Sequence, residues 1–377
     1  MSLDSPLPRP RGPLADVVVV GAGVMGAATA WQLARSGRQV VLVDRFPAGH
    51  TCGASHGASR IYRQAYRSVR YLRLAAQALP LWRELEAETG ATLLTVTGGV
   101  DHGGPAVVAE IAGIMAAHDV RHEWLDPERA ALLWPGMRFD GPVLHQPDRA
   151  GRIDADQAVA AFTAAACGHG AEIRRPLAVT GIDVRGEDLV RVHTEDGVLS
   201  ARRVVVSAGA WTARLLGGAF PLPPLRVTQE QPAYFPFRDT PPCVARQGDW
   251  PSFIHHTPGI VYGLTDPCGE VKVGLHGTGP PCDPDRRTFT PEPDGLWRLQ
   301  DYVATWLPGL DHTRPTPISC TYTSTPDAEF VLERHGPVVI GAGFSGHGFK
   351  HAPAVGRVLA DLAIDEVTDS ATAQVWT

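Results

Sequence analysis

Residues 16–44, DVVVVGAGVMGAATAWQLARSGRQVVLVD, decide the fold. Val17–Val20 are consecutive β-branched residues, the signature of a strand buried on both faces. Gly21-Ala22-Gly23-Val24-Met25-Gly26 follows at once. AATAWQLARSG then carries apolar residues at helical spacing until Gly37 stops them. QVVLVD is a second strand ending on Asp44. Strand, glycine-rich turn, helix and strand form a βαβ unit of the dinucleotide-binding type, in which the glycines let the backbone approach a pyrophosphate at the helix N-terminus. Asp44 stands 18 residues beyond Gly26, where a carboxylate accepts hydrogen bonds from ribose hydroxyls. A lone G-x-G-x-x-G is weak; its place between strand and helix, with a strand-terminal Asp after it, gives it force.

Away from this unit, residues 70–90, 106–117 and 152–167 predict helices, the last with Asp154 as N-cap. RVVVSAGAW (203–211) reads as an apolar strand running into a turn of small residues. VYGL and EVKVGLH read as strands of an antiparallel sheet. Residues 216–260 are rich in Pro and aromatics without clear period. The segment GPVVIGAGFSGHGFKHAPAVGRVLADLA repeats the opening pattern of strand, glycine-rich turn and helix. Nucleotide-binding segments thus fall at the start, middle and end, with two sheet-rich inserts between them.

The bulk numbers narrow the function. A chain of 377 residues predicts about two domains. A net charge of −6 gives no electrostatic footprint for nucleic acid. The N-terminus is polar and Pro-rich, without a signal-peptide core or a membrane span, so residues 1–13 are expected to be a disordered leader and the cytoplasm is the expected compartment. The six cysteines, Cys52, Cys167, Cys243, Cys268, Cys282 and Cys320, include no C-x-x-C pair, so no metal site is expected.

The chain holds 32 arginines but only two lysines, Lys272 and Lys350, and no asparagine. A lysine retained under such a bias points to a place where a compact, tunable ammonium is needed and a guanidinium fork will not do. Both lie in segments that look site-forming, VKVGLHGTG and GAGFSGHGFKH. Cys320 alone reads either as a nucleophile or as a small buried hydrophobe. Arg60 and Arg63 would share a helix face, so a surface stripe is one reading of that pair.

Five segments, in order, are VVVVGAGVMG, GASHGASRIYRQAY, VVVSAGAW, KVGLH, and CTYTSTPDAEFVLE leading into GFSGHGFK. Together they resemble the monomeric sarcosine oxidase and N-methyltryptophan oxidase branch of the D-amino-acid-oxidase-like flavoproteins. The resemblance implies an α/β fold, α+β overall. It has a Rossmann-like FAD-binding domain (14–85, 150–215, 320–377) and a discontinuous, mainly antiparallel-sheet substrate domain (86–149, 216–319). It implies FAD joined to Cys320 by a thioether, Lys272 beside the flavin as the oxygen-activating cation, and Arg60 at the flavin edge. Arg63 and Lys350 match the pair that holds a substrate carboxylate. His276, Tyr322 and Tyr262 match residues lining the active site. Further cofactor contacts are implied for Gly21, Gly23, Val24, Met25, Gly26, Asp44, Arg45, Ser55, His56, Gly57, Ser59, Val179, Ala208, Gly209, Trp211, Gly343, Phe344, Gly346, His347 and Gly348.

The expected partners are a small amino acid with a free carboxylate and molecular oxygen, with no nucleic acid or membrane, in a monomer or small homo-oligomer. Three stretches depart from the sarcosine oxidase pattern: residues 226–237, Ile254-His255-His256, and 280–285. They are expected to shape the pocket beyond the carboxylate clamp, to suit a larger N-substituent or a cyclic imino acid of secondary metabolism. A dehydrogenase with a non-oxygen acceptor and a non-enzymatic flavin-binding module are the other readings.

Overall fold

The computed structural model describes residues 15–238 and 250–364. The expected leader, Cys243 and the segment beyond 364 lie outside them. β1 (Ala15–Val20) runs parallel to β2 (Val40–Val43) on one side and to Gly197–Val206 on the other. Glu172–Arg174 extends the sheet beyond β2, and Val338–Ala342 extends it beyond Val204–Val206. The central strands are apolar throughout because both faces are covered. α1 (Val24–Arg35) packs against the helices Ala155–Gly168 and Ala352–Ile364. It is buried from Val24 to Ala34, so its sequence is apolar all round rather than striped. Trp31 sits at its centre, fully buried, 5.6 Å from the Phe162 ring, with its indole N–H donating to Glu88 Oε2 at 3.0 Å.

A second sheet takes its strands from residues 99–146, 233–275 and 316–317, with Glu123–Leu125 at one edge. Its pairings are antiparallel except one, Gly99–His102 against Ser252–His255, which are parallel. Alternate residues divide between its faces. Phe253, Val261, Val271 and Val273 join Trp250, Leu299 and Val303 in a core beneath the helix Pro293–Trp306. Ile254, Tyr262, Leu264 and Lys272 face the other way, into a cavity.

Two local readings change. The helix expected over 152–167 begins at Ala155, because Gly151–Ile153 is a strand paired on both sides, with Arg60–Tyr62 and Leu94–Val96. Asp154 does cap that helix, its Oδ1 accepting from Gln157 N at 3.0 Å. Arg60 lies on a strand, so no helical surface stripe with Arg63 exists. Within 216–260, Arg226–Glu230 pairs with Cys320–Ser324, a long-range partner that supplies what local periodicity lacked. No helix among the described residues is long and apolar enough to cross a membrane.

Two glycines test the packing. A Cβ on Gly356 would lie 2.7 Å from the Ala28 backbone carbon, whereas one on the exposed helical Gly113 meets nothing within 4 Å. Gly356→Ala is expected to lose about 1–3 kcal/mol by overpacking. Gly113→Ala is expected to gain about 0.5–1 kcal/mol by helix propensity. Urea denaturation midpoints check both.

Candidate active site

A cavity of about 1320 Å³ opens at the carboxyl ends of β1 and β2 and reaches the inner face of the second sheet. All the site residues expected from sequence line it except Gly26, Gly57 and Ser59. Gly26 instead packs where a Cβ would overlap the Gly21 carbonyl and come within 2.6 Å of Ser207 Oγ.

At the nucleotide end, Gly21 has φ +99°, a conformation L side chains rarely adopt, and a Cβ there would meet Ser207 O at 2.5 Å. The N-cap of α1 is Gly23, without a side-chain cap. Only Ser55 Oγ reaches in, accepting from Val24 N at 3.0 Å. This leaves a helix N-terminus open to an anion. Asp44 is held in place as well as positioned: Oδ2 accepts from Ala22 N at 2.6 Å and Oδ1 from Phe46 N at 2.8 Å. Arg45 and the Trp211 indole both donate to Asp285, at 2.6 and 2.8 Å. The 280–285 stretch therefore lies at this end, away from the carboxylate clamp it was expected to extend.

In the middle, Lys272 is 3% exposed and donates to Ser59 O at 2.8 Å. Burial, then the neighbouring Arg60, pushes its amine well below the ordinary lysine range. Arg60 commits its guanidinium to the carbonyls of Ala54, His56 and Ser59. It thus braces the 54–59 loop from the cavity wall. Cys320, half-buried, begins the strand Cys320–Ser324. Tyr322 OH lies 3.4 Å from His276 Nδ1. Burial, then Lys350 and Arg63, lowers His276 to about 4, so it is a neutral hydrogen-bonding group at ordinary pH. His56 Nε2, Thr321 Oγ1 and His347 Nδ1 line the cavity and are buried without a partner. Buried polar atoms are seldom left so, because each carries a desolvation penalty.

At the far end, Arg63 and Lys350 meet around one tyrosine. Tyr66 has the Arg63 guanidinium 4.9 Å from its ring centroid and the Lys350 ammonium at 5.5 Å. Lys350 Nζ donates to Tyr66 OH at 2.9 Å and to His347 O at 3.0 Å. Burial, then Arg63, pulls Lys350 down to about 7.

Sequence reading missed one residue here. Asp101 is 3% exposed and its Oδ1 accepts from Arg63 at 3.1 Å. The same oxygen lies 2.8 Å from His256 Nε2. The only sequence signal was an acidic residue inside the short strand GVDH. Of the divergent triplet, Ile254 and His256 face the cavity, while His255 points to the opposite face, toward Tyr302 OH at 3.0 Å. Of residues 226–237, only Pro232 lines the cavity. Among the described residues, His102, Asp140 and His255 place three possible metal ligands within 4.8 Å of one another. The two imidazoles stack at 4.0 Å and 23°, and His255 Nδ1 already lies at Tyr302 OH.

Residues 16–362 match the model of the family described as FAD dependent oxidoreductase. The chain is 34% identical over 367 residues to a monomeric sarcosine oxidase of Bacillus sp. (strain NS-129), covering 94% of each. It is 28% identical to an N-methyl-L-tryptophan oxidase of Salmonella arizonae, covering 93% of this chain and 95% of that one. Its fold is similar to the open form of NikD, an unusual amino acid oxidase essential for nikkomycin biosynthesis, with a TM-score of 0.83, 28% identity and 97% of each chain covered.

Asp101 is the buried carboxylate that offsets Arg63. Asp101→Ala is expected to cost about 3–5 kcal/mol, because it leaves a guanidinium without its partner. Acetate should recover more melting temperature in this variant than in the parent protein, since the added anion replaces the missing charge. Equal responses in a thermal-shift titration would contradict this.

Proposed function

The chain belongs to the FAD dependent oxidoreductase family, and from that premise we propose that it is an oxidase of secondary, N-substituted amino acids. The observation that carries the reading is the meeting of Arg63 and Lys350 around Tyr66 at one end of a cavity whose other end is a dinucleotide cradle. FAD suits the residues present: the open α1 N-terminus suits a pyrophosphate, and the same cavity continues past Cys320, Lys272 and Tyr322 with room for a ring system. When bound, FAD supplies the redox chemistry, taking two electrons from the carbon–nitrogen bond and delivering them to oxygen as hydrogen peroxide.

The protein's part is binding and placement. Arg63 and Lys350 hold the substrate carboxylate, which fixes the carbon beside nitrogen relative to the cofactor site. Tyr262, Tyr322 and His276 form an aromatic wall along that region. No protein base is assigned, because a neutral secondary amine carries its own lone pair. Lys272, held by Ser59 O, stands as a fixed donor where charge develops on oxygen, which is electrostatic preorganisation. An anionic neighbour in the cavity favours its ammonium form and offsets the effect of burial. Cys320 is the residue proposed to join the flavin through a thioether. The product imine hydrolyses, or persists where the substrate is cyclic.

Ile254, His256 and Ile260 line the cavity near the clamp and support a substrate larger than sarcosine. Peroxide release in air should show kcat/KM at least about tenfold higher for a bulkier N-substituted or cyclic amino acid than for sarcosine, the size of effect one or two filled pocket contacts give. Fast turnover of sarcosine with poor turnover of all larger amines would overturn that part. Bleaching of the flavin without oxygen uptake would point to a dehydrogenase.

Lys350 sets a pH dependence. Its free-enzyme value of about 7 means that the ammonium is present below that pH and lost above it. Carboxylate binding requires the Lys350 ammonium, so kcat/KM, which climbs with pH as the substrate amine loses its proton, should level off as pH rises through the region of 7. Lys350→Met should remove that break and raise KM by about 10–100-fold, the loss of one charge-assisted contact. Lys272→Met should instead slow reaction with oxygen by roughly 10²–10³-fold, as for loss of one preorganised donor, leaving anaerobic flavin reduction much less changed. Stopped-flow absorbance separates the two half-reactions.

A further inference from the structure

Tyr66 stands between the two cations that grip the substrate carboxylate. Arg63 and Lys350 lie 4.9 and 5.5 Å from the centroid of its ring, and an aromatic face attracts cations. The ring gathers both charges without neutralising either. Tyr66 lies in the turn between the strand Arg60–Tyr62 and the helix Val69–Thr89, and Arg63 donates to the carbonyl of the adjoining Ala65. A phenylalanine would gather the cations as well, so the hydroxyl has a separate part.

That hydroxyl links Lys350 to His351. Lys350 Nζ donates to Tyr66 OH at 2.9 Å and to His347 O at 3.0 Å. An ammonium carries three protons, so one is left for the cavity that Lys350 lines. The same hydroxyl lies 3.2 Å from His351 Nε2. His351 is fully buried, and its Nδ1 has no partner among the described residues. The proton count sets the direction of this chain. The hydroxyl has one proton, and its oxygen already accepts from Lys350. His351 Nε2 is the acceptor within its reach, so Tyr66 donates there and the imidazole proton sits on Nδ1. A hydroxyl turned this way presents its lone pairs to the ammonium. Burial keeps both His351 and Tyr66 neutral, so neither ionises out of this arrangement at ordinary pH.

We propose that Tyr66 is a positioning residue for Lys350: with its own proton held by His351, its oxygen aims the ammonium at the substrate carboxylate and favours its charge, a role that rests on the carboxylate clamp above. A neutral oxygen that accepts from a cation stabilises the charged form. The other groups facing Lys350 do not supply this from a side chain. Arg63 opposes its charge. His276, His347 and His351 are held neutral by burial. Asp101 bonds to Arg63 and His256. The oxygens bonded to the ammonium are the His347 carbonyl and the Tyr66 hydroxyl. Among the described residues, Tyr66 thus gives the side-chain oxygen that offsets part of what burial and Arg63 take from Lys350.

The test titrates the full-chain holoenzyme with benzoate, a carboxylate with no amine to lose a proton, and reads binding from the flavin absorbance across pH. The parent protein should bind benzoate well in mild acid and lose affinity as pH rises through the region of 7, where the Lys350 ammonium is lost. Tyr66→Phe keeps the ring and removes the hydroxyl. Its break should fall about one pH unit lower, so its Kd should be about tenfold above the parent's at about pH 8.5 and within about twofold of it at about pH 5.5. His351→Leu leaves the hydroxyl without its acceptor and should move the break the same way by a smaller amount. If Tyr66→Phe does not fold, His351→Leu decides. Equal weakening at every pH in Tyr66→Phe would overturn the proposal, since lost packing alone does not move the break. An unmoved break in His351→Leu would overturn it too, as would a parent protein that binds benzoate with no dependence on pH. Failure of the parent to bind benzoate at any pH would instead remove the carboxylate clamp itself, and this proposal with it.

Discussion

Cations gathered in one cavity are the constraint on which this molecule turns. Arg63, Lys272 and Lys350 line the same space, and among the described residues the carboxylate bonded to any of them is Asp101, on Arg63. Like charges at such proximity weaken one another, which is why Arg63 depresses Lys350 and Arg60 depresses Lys272. An interior of this kind is stable only when it is shaped for anions. A pyrophosphate at α1, a reduced ring beside Lys272 and a carboxylate at Tyr66 would each relieve part of the strain. Binding and folding therefore draw on the same electrostatics.

The hydrogen bonds show how the scaffold keeps these charges apart from ordinary surface chemistry. Each cation is fixed by carbonyl oxygens: Lys272 by Ser59, Lys350 by His347, Arg60 by three carbonyls of the 54–59 loop. A carbonyl orients a cation without neutralising it, so the charge remains available to whatever enters. Asp101 is the exception, and its second partner, His256, ties the clamp to a strand that also forms the pocket wall. Changes in that wall therefore bear on the Arg63 charge.

What the sequence made legible was local. The strand, glycine turn and helix of residues 16–44 show their pattern within thirty or so residues, although Gly21 and Gly26 pack against the distant Ser207 and Gly23 faces Ser55. The two lysines stood out because the chain otherwise writes arginine, and both line the cavity. Pairings across the chain were not legible. Asp101 meets His256 only because Gly99–His102 lies parallel to Ser252–His255, and alternation then sends His102 and His255 to the other face. Gly151–Ile153 hid inside an apparent helix because its two strand partners are distant in sequence.

The order of the strands in the first sheet has a bearing on how the protein is made. β1 leaves the ribosome early, but its neighbours are Ala201–Val206 and, beyond them, Val338–Ala342. The turn that closes over the cavity from the far side, Gly343 to Gly348, comes later still. At a synthesis rate of roughly 5–20 residues per second, the cradle stays open through nearly the whole of translation. The cavity thus has all its walls only once Gly348 has been made, and a nascent polypeptide halted short of its last strand exposes an unpaired apolar sheet edge to chaperones and to its own kind.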